Sequence, residues 1–98
     1  MVDSPYDRCI RNLDDALKIL DRPLSKKMYR DGWTDEKLAN IRSLVFAWRH
    51  DFEEDGKIRV RHHRIMNRWF LDAGVSFRSV EDLLSDVDDT VYKALGLP

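Results

Sequence analysis

Between Asp51 and Gly74 the side chains with chemical capacity crowd together. Asp51, Glu53, Glu54 and Asp55 precede Gly56. Lys57, Arg59, Arg61, His62, His63, Arg64 and Arg68 follow, with no carboxylate until Asp72. A row of cations held in place by packing suits phosphate oxygens or an acidic protein surface. If residues from about Arg61 to Ala73 are helical, Ile65, Met66, Trp69, Phe70 and Ala73 share one apolar face. Arg61, Arg64 and Arg68 then form a basic stripe on the opposite face. Residues 57–61 also alternate as a strand does, but no partner strand is evident, so they read as an extended lead-in or an early helical turn. Arg22, Lys26, Lys27 and Arg30 make a second basic cluster, also free of acids.

The acidic run has the outline of a calcium loop. Asp51, Glu53, Asp55, Gly56 and Ile58 fall where an EF-hand loop places its first, third, fifth, sixth and eighth residues. The place of the bidentate glutamate, however, holds His62, and the ninth position holds Arg59, a cation that opposes calcium. His50, His62 and His63 offer imidazoles, yet adjacent histidines on a regular helix cannot both face one metal, and Cys9 has no second cysteine beside it. No phosphate-cradling glycine loop, nucleophile elbow or HExxH is present. No catalytic residue, metal ligand or cofactor is therefore assigned, and the expectation is a non-enzymatic protein.

Two helix-turn-helix arrangements are conceivable, one from Leu24 to Phe52 and one from Arg68 onward. In both, the second helix offers acids where a groove-reading helix approaches phosphates: Asp35 and Glu36 in the first, Glu81, Asp82, Asp86, Asp88 and Asp89 in the second.

The elements that must position these groups are helices. Ser4 and Pro5 start the first, with Tyr6, Cys9, Ile10, Leu13, Ala16, Leu17 and Leu20 on its apolar face, and Cys9 reads as a small buried residue. Pro23 stops it. Leu24 to Arg30 suits a short helix with Leu24, Met28 and Tyr29 inward, and Asp31-Gly32 a turn. Thr34 caps a third helix, whose stripe is Leu38, Ile41, Leu44, Val45, Trp48 and Phe52. Phe46 falls off that stripe, as an interface anchor or as a contact with another helix of the bundle. Gly74 ends the helix of the basic stretch. Ser79 and Asp82 resemble a loose capping box for a last helix with Val80, Leu83, Leu84, Val87, Val91, Ala94 and Leu95 inward, stopped by Gly96 and Pro98.

The expected fold is thus an all-α bundle of four main helices plus a short one, a single domain over residues 1–98. The chain has 98 residues, 43% of them hydrophobic and 36% charged, enough for one modest core. Its net charge is −1, which gives no global pull toward nucleic acid or membrane. Residues 56–71 nevertheless carry five basic and no acidic side chains, and residues 72–98 six acidic and two basic ones. One cysteine, no apolar run of membrane-spanning length and no apolar leader suggest a cytoplasmic protein. Functionally, the segregated charge suggests a regulatory binding module that meets a protein partner or a second copy of itself. The other reading is nucleic-acid backbone binding by Lys57, Arg59, Arg61, Arg64 and Arg68 together with Lys26, Lys27 and Arg30.

Overall fold

The computed structural model describes residues 4–64 and 66–97. The elements are all helical: α1 (Pro5–Leu20), α2 (Lys26–Arg30), α3 (Asp35–Asp55), a 3₁₀ turn (Val60–His62), α4 (Asn67–Ala73) and α5 (Arg78–Ala94). No strand occurs among the described residues, in keeping with an all-α fold. No helix is long and apolar enough to cross a membrane. Ile65 and Pro98, expected in the core and at the last helix stop, lie outside the described residues.

Local chemistry sets the helix starts. Ser4 Oγ accepts the Asp7 N–H at 3.1 Å, and Pro5 occupies the first turn, where a missing N–H costs nothing. Thr34 Oγ1 accepts the Lys37 N–H at 3.1 Å. At α5 the expected Ser79–Asp82 box does not form. The helix begins two residues earlier, and Glu81 Oε2 accepts the Phe77 N–H at 2.8 Å and the Ser76 hydroxyl at 3.0 Å. The longer glutamate arm reaches back to the free backbone donor, and Asp82 stays in solvent.

α1 packs on α5 through Cys9, Leu13, Ala16 and Leu20 against Val80, Leu84, Val87 and Val91, all completely buried. α3 lies across α1 and closes the core with Ile41, Val45, Trp48 and Phe52. Leu44, expected in that stripe, is 42% exposed, and Tyr29, expected inward, is 47% exposed. The five-residue α2 is too short to cover both of its faces. Tyr29 instead donates its hydroxyl to Asp35 Oδ1 at 2.6 Å.

The helix expected over residues 61–73 is broken, and two contacts accompany the break. A continuous helix would use the His62 carbonyl to accept the Met66 N–H. That carbonyl instead accepts the Trp48 Nε1–H at 2.8 Å. The His62 ring turns back, and its Nδ1 accepts the Arg59 N–H at 3.0 Å, which favours the 3₁₀ turn. Only the last seven residues, Asn67–Ala73, form α4, which ends as expected at Gly74 with φ +69°. The basic residues before α4 therefore share no helical stripe with Arg68.

Candidate functional site

Two places on α3 gather charged and aromatic side chains. The first is its C-terminal end. Asp51 and Asp55 sit one turn apart on one face, and Gly56, at φ +66°, reverses the chain so that the basic residues fold back over them. Arg61 Nε meets Asp55 Oδ2 at 2.6 Å, and its Nη1 lies 3.5 Å from Asp51. Arg64 Nη2 meets the other Asp51 oxygen at 2.6 Å. The Arg61 hydrogen bond, helped by His62, holds the Asp55 carboxyl below its usual value, and Asp55 in turn raises Arg61.

His62 is the centre of this end and is fully buried. Its ring stacks on Phe52 with centroids 4.1 Å apart. Since Nδ1 accepts the Arg59 N–H, the ring hydrogen sits on Nε2, which donates to Asp55 Oδ2 at 2.8 Å and lies 3.2 Å from the Asp51 carbonyl. Both nitrogens are engaged and neither faces solvent, so the His–Asp pair acts as a lock on the 56–64 segment. The three histidines have separate partners. His50 is exposed beside Glu54 at 3.7 Å, and His63 Nδ1 lies 2.6 Å from Asp88. Of the three loop carboxylates that would have faced calcium, Asp51 and Asp55 are occupied by Arg61, Arg64 and His62, and Glu53 by Arg49 Nη1 at 2.6 Å.

The other expected site residues remain at the surface. Lys57, Arg59 and Arg68 are exposed, as are Lys26, Lys27 and Arg30 on α2, and none of these side chains has an ion-pair partner among the described residues. The two basic clusters do not merge. α2 leads into the N-terminal end of α3, and residues 57–64 pack at the other end. The 21 residues of α3, about 30 Å of helix, lie between α2 and residues 57–64, while Arg68 stands apart on α4, which runs back along α3 toward Gly32. The acids of α5 are likewise partly committed. Asp86 receives a bidentate pair from Arg8 at 2.7 and 2.8 Å and the Asn12 amide at 2.5 Å, with its carboxyl held low chiefly by Arg8. Asp88 holds His63. The two patches are thus partly neutralised within the monomer, but mainly by α1 and α3: Arg61 and Arg64 pair with Asp51 and Asp55, Asp86 pairs with Arg8, and His63–Asp88 joins the patches to each other.

The second place is the middle of α3. Phe46 is 63% exposed. It forms one wall of an open groove of about 590 Å³, with Arg42 and Ser43 from α3 and Asp14, Leu17, Lys18 and Asp21 from α1. The helices run antiparallel, which brings Arg49 Nε to Asp14 at 2.5 Å at one end of the groove and Arg42 to Asp21 at 3.8 Å at the other. The Arg42–Asp21 pair is loose and wet, with side chains 43% and 83% exposed. Leu44, on the other flank of α3, lines a smaller hollow of about 300 Å³ with Ile41, Trp69 and Ala73.

Sequence reasoning set Phe46 off the apolar stripe, where it is exposed, and missed the burial of His62. A signal for the lock existed: carboxylates at i and i+4, a helix-stopping glycine, then Arg61, His62 and Arg64. No protein-family model matches the chain, and comparison with curated proteins and with solved structures finds no match.

Proposed function

We propose that the chain is a non-enzymatic binding module that acts through protein contacts, and that its contact surface is the α1–α3 groove at Phe46. The observation that carries this reading is a phenyl ring left in water above an apolar floor while the rest of α3's large aromatics, Trp48 and Phe52, are buried. Aromatic anchors with a charged rim are what protein interfaces are built around: the ring supplies buried area and the rim supplies orientation. The groove between two antiparallel helices suits a partner helix laid along it, with an apolar side chain beside Leu17 and charges matched to Arg42 and Asp21.

A photoreactive benzoylphenylalanine in place of Phe46 tests the reading against the same group in place of Ser85, an exposed residue of α5. The expected result is a discrete protein adduct from position 46 that disappears when Ser43→Glu is added. Equal labelling from both positions would remove the groove as the contact surface.

Nucleic-acid binding retains a narrower basis, the exposed side chains of Lys57, Arg59 and Arg68 and, as one contiguous set of three on α2, those of Lys26, Lys27 and Arg30. Three phosphate contacts give a log–log salt slope of about −3 on duplex DNA. A protein with no measurable binding at low salt lacks this activity.

A further inference from the structure

We infer that the occupant of the Phe46 groove is a second copy of this chain, related by a two-fold axis that runs along the groove. The inference rests on the protein-contact reading above and names its partner. Its warrant is the order of charges along the groove. At one end Arg42 of α3 stands beside Asp21 of α1; at the other Arg49 of α3 stands beside Asp14 of α1; Phe46, Leu17 and Lys18 lie between.

A two-fold axis parallel to the groove preserves height and exchanges the two helices. α3 of one copy then lies on α1 of the other, antiparallel, in the packing of a four-helix bundle. Arg42 faces Asp21 of the second copy, and Arg49 faces Asp14 of the second copy. The reciprocal pairs form by symmetry, as in any isologous interface. Phe46 meets Leu17 and the aliphatic stem of Lys18 of the second copy, where its ring also favours the ammonium. No like charges among these four residues are brought face to face. The opposite choice, an axis across the groove, sets Arg42 against Arg49 and Asp21 against Asp14 and is disfavoured. A foreign helix pair would need the same antiparallel order of two arginines, two aspartates and a central apolar group. α1 and α3 already present it.

Arg42 and Asp21 are suited to a decisive test, because both are exposed and their contact within the monomer is loose. The mass of the purified chain is measured by sedimentation velocity over a wide concentration range. The expected wild-type result is a two-chain species that dilutes to one chain. Arg42→Asp alone sets carboxylate against carboxylate twice across the axis, and Asp21→Arg alone sets guanidinium against guanidinium twice. Each is expected to raise the dimer dissociation constant by about tenfold or more. An equimolar mixture of the two variants is expected to restore the two-chain species, since each mixed contact again joins opposite charges. Phe46→Ser, which changes no charge, is expected to leave one chain at all concentrations, with the helical circular dichroism of the wild type. Single variants that dimerise as the wild type does, or a mixture that stays monomeric, would overturn the inference. If the wild type is one chain throughout while position 46 still forms a discrete adduct with another protein, the second copy is ruled out and the protein-contact reading stands. If neither species is found, both fall.

Discussion

α3 treats the same residue types in opposite ways at two places about two turns apart. Near its C-terminal end, Asp51 and Asp55 are met by Arg61, Arg64 and a buried imidazole, and Phe52 stacks on that imidazole. Two turns before Phe52, carboxylates and arginines again flank a phenylalanine, yet Phe46 stands in water and the Arg42–Asp21 pair is loose. The difference is what the next segment of chain does. After Gly56 the backbone folds back and supplies partners of opposite charge within a few residues. Nothing among the described residues folds over Phe46. A charged and aromatic cluster is structural where local sequence closes it and available where it does not, and composition alone does not tell the two apart.

Removing the lock should have the largest effect. His62→Ala deletes a fully buried ring, its stack on Phe52 and the hydrogen bonds to Arg59 and Asp55. A cavity plus orphaned polar groups is expected to cost about 3 kcal/mol in urea unfolding. A loss below about 1 kcal/mol would mean that the 56–64 segment is held by the surface arginines and not by the ring.

Next comes Trp48→Phe, which keeps an aromatic ring in the core but removes the Nε1–H that occupies the His62 carbonyl. The expected loss is about 1–2 kcal/mol, part of it from the smaller ring. The freed carbonyl should also let helix extend before Asn67, seen as slower amide exchange at Met66. Unchanged exchange there would show that the Trp48 bond is not what interrupts the helix.

Acid probes the closed end of α3 together with the Arg8–Asp86 pair that ties α1 to α5. Asp55 and Asp86 both have carboxyls held below their ordinary value of 3.8, by Arg61 and by Arg8 respectively. A depressed carboxyl binds protons more weakly in the folded state than in the unfolded one. Its stabilising contribution is therefore full above pH 3.8 and is lost as pH falls through the lower folded value. Stability measured from pH 5 to 2.5 should fall, and Asp55→Asn should flatten part of that fall. An unchanged acid limb in Asp55→Asn would show that Asp55 contributes nothing to it.

Much of this fold was legible because the helices read as independent stripes. Cys9, Leu13, Ala16 and Leu20, and Val80, Leu84, Val87 and Val91, recur at helical spacing and are the α1–α5 interface. Leu44 obeys the same spacing but sits at the edge of the stripe, where α4, only seven residues long, leaves it partly open. The break in the helix expected over residues 61–73 could not be seen from its own residues. It coincides with an indole from α3 bonding one carbonyl and an aspartate from α3 holding one imidazole, both contacts between elements. Arg61 and Arg64 illustrate the same limit. Their opposite charges nearby were visible, but whether they faced Asp51 and Asp55 or a partner depended on the reversal at Gly56.

The smallest effect on folding should come from the residue with the largest proposed effect on contact. Phe46 is 63% exposed, so Phe46→Ala removes little buried area and leaves no enclosed cavity. Its unfolding free energy, measured in dilute solution where one chain predominates, should stay within about 0.5 kcal/mol of the wild type. At high concentration the comparison should change: a dimer is stabilised by mass action, so the wild-type midpoint should rise with concentration and the Phe46→Ala midpoint should not. A loss above about 1.5 kcal/mol in dilute solution would place the ring within the monomer's own packing, and the contrast between the open groove and the closed end of α3 would collapse.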